Sequence, residues 1–261
     1  MCAENNSTII KSTKLRANGV DIIRGICIVL MIWYHFMYDV RYIFNYDAFI
    51  FFESFVFQNI IHPLLLIGLF MMSGISQSFS HNHLKRIKNM ILLAASITII
   101  SSLISMIFQI EIYFFWQITH SLSVCIAITI LIEKMIKDIR LQIIAFLTLA
   151  MLFLFILPFI FEKYNLAEQA SPWLLPLGIG YKNPQVPDMG DYLPIIPYGG
   201  FFFIGSVLGK ILYPEGLVNK ESFKNPIWKP LRFLGKNSLL VYAIHQPILL
   251  LLIWLYGRFC L

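Results

Sequence analysis

Charge is what this sequence has least of. Asp, Glu, Lys and Arg together make 13% of its 261 residues, where soluble domains carry about 25%. That shortage argues against a soluble enzyme or a solvated binding module. Cysteine is equally sparse. The four are Cys2, Cys27, Cys125 and Cys260. They form no CxxC pair, and two lie inside apolar runs. A disulfide framework and a zinc site are therefore not expected, and the cysteines read as small packing residues. No metal is expected. The chain also lacks a Pro/Gly/Ser-rich linker, an internal repeat and a low-complexity segment, so 1–261 reads as one domain. A secretory pattern is missing too. About twenty polar residues come before the first apolar run, and no small-residue cleavage site follows it. That run is expected to remain as an anchor behind a polar cytoplasmic N-terminus at 1–20.

What the chain has instead is apolar length. Hydrophobic residues make up 58%, and mean hydropathy is +0.74. Seven runs approach the ~20 residues that a ~30 Å hydrocarbon core demands: 22–44, 57–79, 89–110, 114–132, 142–161, 194–213 and 236–257. None shows the alternation of a barrel strand, so the expected fold is all-α, a polytopic membrane helix bundle of about seven spans. With the N-terminus inside, sixteen Lys and Arg face the cytoplasm and four face outward. That asymmetry predicts N-terminus in and C-terminus out. It also accounts for the net charge of +6 through contact with anionic lipid, with no need for nucleic acid. The outer loops are short except 162–193, rich in Pro, Gly and aromatics. A connection of that length usually works as a lid or binding loop.

Ionisable residues inside spans are costly and mark function. His35, His62, His120 and His245 lie on four different spans, all in the middle-to-outer half by their depth along the helix. A buried imidazole can simply bridge two helices. His35 has more specific company. Asp39 follows four residues later, on the same helix face, where a carboxylate can orient an imidazole as a general base. Arg24 precedes His35 by eleven residues, which at about 100° each returns to nearly the same face, about 16 Å away along the axis. Arginine at the inner edge suits bidentate phosphate binding. Its plainer reading is a snorkelling lipid anchor.

Arg24-x10-His35 resembles the hallmark of transmembrane acyltransferases. The stretches VDIIRGICIVLMIWYHFMYD (20–39), LFMMSGIS (69–76), FFWQITHSLS (114–123), LLPLGIG (174–180), DYLPIIPYGGFFFIGSVLGKILY (191–213) and FLGKNSLLVYAIHQPILL (233–250) follow in family order. Together they resemble bacterial heparan-alpha-glucosaminide N-acetyltransferase-like membrane proteins.

The resemblance implies transfer of an acyl group, acetyl in the first instance, from cytoplasmic acetyl-CoA or another acyl-CoA to an extracytoplasmic acceptor. The acceptor would be a glycan or lipid-linked sugar hydroxyl or amine. It implies a multi-pass protein of the bacterial cytoplasmic membrane, with a homo-oligomer left open. By the same analogy His35 and Asp39 are catalytic, with His120 a second base or a donor to the thioester carbonyl. Arg24 would hold the nucleotide phosphates. Asp191, Tyr192 and Trp116 would bind the acceptor, Trp116 by stacking. A non-catalytic transporter or flippase of a lipid-linked saccharide is the alternative, since span-borne ionisable residues also mark transport routes. It lacks inverted-repeat halves to support it. Haem ligation would need a facing histidine pair at matched depth, for which His62 and His120 come closest.

Overall fold

The computed structural model describes residues 18–79, 82–109, 113–169, 172–184, 186, 189, 191–214 and 225–259. Cys2, Cys260, His81 and most of the polar N-terminus, with Lys11, Lys14 and Arg16, lie outside those residues, as do Lys220 and Lys224.

Every regular element among the described residues is helical. Helix α1 is Asn18–Tyr38, α2 His62–Gln77, α3 His83–Phe108, α4 Ile118–Met135 and α5 Ile139–Met151. Helix α6 is Leu157–Lys163, α7 Tyr198–Leu212, α8 Lys229–Lys236 and α9 Ser238–Phe259. Three π-helical segments extend them: Asp39–Ile43 continues α1, Phe57–Ile61 leads into α2, and Leu152–Ile156 joins α5 to α6. The last two each sit just before a proline at the start of the next helix, Pro63 and Pro158. Proline clashes with the carbonyl four residues back, and a widened turn relieves that crowding without ending the span.

Six of these helical stretches are long and apolar enough to cross a membrane: Asn18–Ile43, Phe57–Gln77, His83–Ile107, Ile118–Met135, Ile139–Lys163 and Ser238–Phe259. They fall on six of the seven expected runs. The seventh, 194–213, becomes α7, which is apolar but only 15 residues long. The chain is an integral, multi-pass membrane protein. Outward-facing Ile99, Ile100, Met106 and Ile144 are more than half exposed in the isolated chain, as lipid-facing side chains should be.

Short as it is, α7 occupies the centre. Phe202 and Phe203 are fully buried, against Phe70 of α2, Ile126 of α4 and Phe146 of α5. Backbones touch where α2 crosses α7. A Cβ on Gly74 would overlap the Phe202 carbonyl, and one on Gly205 would overlap the Met71 carbonyl. Small residues at crossings are how membrane helices gain packing without a hydrophobic drive. A second such crossing joins α1 to α8, where Gly25 lies against the Leu231 carbonyl and Gly235 against the Asp21 carbonyl. Cys27 and Cys125 are buried and free.

The expected outer loop, 162–193, begins as α6 ends. It coils through short 3-10 turns at Leu166–Glu168 and Pro172–Leu177 before entering α7. Trp173 in this loop is 91% exposed.

Candidate active site

Three residues of α9 reach three of the side chains that the sequence singles out: His35, Asp39 and Asp191. Tyr242, His245 and Gln246 are spaced i, i+3, i+4 and so share one helix face. Each faces a different element.

His245 meets His35 of α1, ring centroids 4.9 Å apart at 56°. His245 Nδ1 lies 2.8 Å from the Tyr242 carbonyl of its own helix. A carbonyl only accepts, so Nδ1 carries the hydrogen and donates it. The Nε2 lone pair is then free, and Nε2 is buried with no hydrogen-bond partner among the described residues. An imidazole with its tautomer fixed and its basic nitrogen left unpaired is suited to proton abstraction. Tyr34 packs edge-on against His35 at 5.6 Å and stacks on His62 at 4.2 Å.

Gln246 takes Asp39. Its Nε2 donates to Asp39 Oδ1 at 2.8 Å, while Asp39 Oδ2 has no partner and the residue is fully buried. This differs from the expected pairing. The shared face put Asp39 within reach of His35, but α9 crosses α1 here and the carboxylate makes its hydrogen bond across the crossing. A carboxylate that lies inside the bundle bonds to whichever donor the packing supplies.

Tyr242 takes Asp191 and Gln117. Its hydroxyl lies 2.8 Å from Asp191 Oδ2 and 2.9 Å from Gln117 Oε1. One phenolic hydrogen can serve only one of these acceptors. The Gln117 side chain also accepts the His120 backbone N–H in a capping box that opens α4, which fixes its oxygen toward Tyr242. Both Tyr242 contacts are satisfied together when Asp191 carries a proton and donates it. Burial pushes the Asp191 carboxyl up to about 6, which favours that arrangement.

His120 and Trp116 form a separate pair. Their rings stack at 5.0 Å and 24°, and Trp116 Nε1 donates to Ser121 Oγ at 2.8 Å. His120 Nδ1 accepts from the Gln117 backbone at 3.4 Å, so that nitrogen is turned to its own helix. Tyr192 donates to the Leu175 carbonyl and stacks on Tyr181 at 5.7 Å. It lines a cavity of about 530 Å³ under the 162–193 loop together with Tyr181, Tyr198, Glu162, Glu168 and Lys182. Of the three expected acceptor residues, only Tyr192 lines it. Asp191 and Trp116 serve the α4–α9 side.

Arg24 lies at the other end of α1. It donates to the Gly235 carbonyl at 3.2 Å and to Ser76 Oγ, and Asp21 is 3.6 Å away. Arg86 of α3 comes to the same place. It donates to Gln77 Oε1 at 3.1 Å and Ser73 Oγ at 2.6 Å. No carboxylate pairs with Arg86 among the described residues. Two guanidinium groups, one lacking a carboxylate partner, meet at the end of α2.

Tyr242 is not among the residues the sequence singles out, Arg86 enters there only as one of the inner-loop cations, and His245 has a helix bridge as its plainer reading. The signal for the α9 residues was present as the i, i+3, i+4 spacing inside the 233–250 stretch. For Arg86 there was only a cluster of loop cations, which normally means a solvated face.

The fold and the paired histidines define a class: a multi-pass membrane protein with imidazole and carboxylate groups gathered between its helices. The chain matches the heparan-alpha-glucosaminide N-acetyltransferase catalytic family over residues 16–247, and it belongs to that family. It is thus a membrane acetyltransferase-like protein. No curated protein and no solved structure matches the chain.

Proposed function

We propose that this single-domain chain moves an acetyl group from cytoplasmic acetyl-CoA to a hydroxyl or amine of an extracytoplasmic saccharide. It would do so in a bacterial cytoplasmic membrane, with its N-terminus on the cytoplasmic side. The observation that carries this reading is the free, buried Nε2 of His245 beside His35. Arg24 and Arg86 hold the donor's phosphates at the inner end. The thioester arm extends along α1 toward His35, about 16 Å on.

His245 takes the proton from the acceptor O–H or N–H as that atom attacks the thioester carbonyl. The C–S bond breaks, and the proton held by the imidazole passes to the departing thiolate. His35 flanks the carbonyl and positions it. Gln246 and Asp39 fix the α1–α9 crossing that brings the two imidazoles together. Asp191, through Tyr242, ties the outer loop to the same helix face and so links acceptor entry to the base. Tyr192 and the cavity it lines offer the acceptor a surface of aromatic and carboxylate groups.

The test is transfer of labelled acetyl from acetyl-CoA to glycan in membranes bearing wild type, His35→Ala or His245→Ala, with each variant's folding checked by size-exclusion profile. Loss of transfer in folded His245→Ala supports the assignment, and undiminished transfer sinks it. Movement of a lipid-linked saccharide by purified protein without acetyl-CoA would favour a flippase instead.

A further inference from the structure

Helix α8 is not a span and was not expected as an element. It is eight residues, KPLRFLGK, beginning with Pro230 in its first turn, where proline's missing N–H does no harm. Its inner side is fixed. Gly235 and Gly25 let α8 and α1 touch backbone to backbone, and the Gly235 carbonyl accepts from Arg24.

Its outer side is exposed and mixed in chemistry. Phe233 is 63% exposed and Ile227, in the turn before it, is 72% exposed. Lys229 and Lys236 are exposed beside them. The helix sits at the end of the bundle where α1 begins and α2 ends, the end that also carries Lys85, Lys88 and Lys134. Exposed aromatic and aliphatic groups flanked by lysines, on a short helix lying at the end of a bundle, match the chemistry of a lipid interface. The charge sign selects anionic headgroups.

We infer that α8 is a seat for anionic phospholipid, with Phe233 and Ile227 in the acyl boundary and Lys229 and Lys236 on the headgroup phosphates. Because the Gly235 carbonyl holds Arg24, the lipid that seats α8 also sets the donor grip. Donor affinity therefore depends on the anionic lipid of the inner leaflet. This second step rests on the acetyl-CoA reading above. The first step, lipid retention, does not.

The experiment uses the full chain in nanodiscs of phosphatidylcholine, with or without phosphatidylglycerol. Native mass spectrometry counts retained phosphatidylglycerol, and transfer kinetics give KM for acetyl-CoA. Wild type should retain phosphatidylglycerol and show a several-fold lower KM in the anionic discs. Lys229→Gln/Lys236→Gln should lose both effects, while Lys229→Arg/Lys236→Arg keeps them. Equal retention by wild type and the Gln variant overturns the seat. Equal KM in both discs, with transfer proceeding, overturns the coupling. So does inorganic phosphate reproducing the KM change in neutral discs. Absence of transfer in every disc would defeat the acetyltransferase reading, and retention would still decide the seat.

Discussion

His35 and His245, from the first and last spans, bring their rings within 4.9 Å, and the Nδ1 of His245 is held by the carbonyl of Tyr242. The tautomer of one histidine is thus set by its own helix and its free nitrogen by the chain's other end. Replacing His245 with alanine should lower transfer by about 10²–10⁴-fold, the range for loss of a general base. His245→Gln, which can keep a hydrogen bond but cannot accept a proton at neutral pH, should be equally impaired. A rate close to wild type in either variant, measured with labelled acetyl-CoA, argues against the base.

Gln246 is the only hydrogen-bond donor that the described residues give to the Asp39 carboxyl group. Gln246→Leu leaves a buried carboxyl unpaired, at about 1–3 kcal/mol. Thermal unfolding in detergent should show a clear drop in Tm. Asp39→Asn keeps shape and hydrogen-bonding capacity and should lose less. If Asp39→Asn abolishes transfer while remaining stable, the carboxylate has a direct chemical role beyond holding the crossing.

Asp191 gives a pH signature. Its folded carboxyl titrates near 6 because burial opposes the charge, above the ordinary carboxylate range. Between those two values the folded chain binds the proton more tightly than the unfolded chain does. Stability should therefore fall as pH rises through this window and level off above about 6. Asp191→Asn cannot ionise, and its Tm should be flatter between pH 4 and 7 than that of wild type. A wild-type Tm that rises over the same window contradicts the protonated Asp191–Tyr242 contact.

Arg86 tests the donor grip. Arg86→Ala removes a guanidinium that contacts only Ser73 and Gln77 among the described residues. Charge-assisted hydrogen bonds are worth about 1.5–3 kcal/mol, so KM for acetyl-CoA should rise by roughly tenfold or more while kcat changes little. A fall in kcat with KM unchanged would place Arg86 elsewhere in the cycle.

The α1–α8 crossing tolerates no side chain. Gly235→Ala would drive a methyl group into the Asp21 carbonyl. Overpacking costs about 1–3 kcal/mol, and this one also displaces the carbonyl that Arg24 uses. Lower Tm and a higher donor KM should appear together. A variant with normal Tm and normal KM would mean that the two backbones can separate without consequence.

The spans were legible because apolar length is a one-dimensional property: six runs became six long helices with little adjustment. Short α7 was also readable as an apolar run, but its central place was not, since that depends on which glycines face each other. The site was half legible. Helical arithmetic could place Arg24, His35 and Asp39 on one face, because they share a helix. It could not foresee that α9 would cross there and claim Asp39 through Gln246. The partner of a buried polar group is chosen by tertiary packing. For the same reason Tyr242, one tyrosine among twelve, carried only its spacing to His245 and Gln246 until Asp191 and Gln117 are brought to it. Helix α8 was hidden by its length, eight residues with three of them basic.

The shortness of α7 has a further consequence. Fifteen residues rise only about 22 Å, well below the ~30 Å of hydrocarbon that lipid-facing spans must match. Because α7 is ringed by α2, α4 and α5, its deficit is hidden from lipid and is made up by the coiled loop above it. The apolar helix at the middle of the bundle is thus shorter than the bilayer around it is thick. Under the proposed transfer, an acetyl group would have that much less greasy distance to cover. Bilayer thickness itself, varied through acyl-chain length with headgroups held constant, becomes a control on turnover.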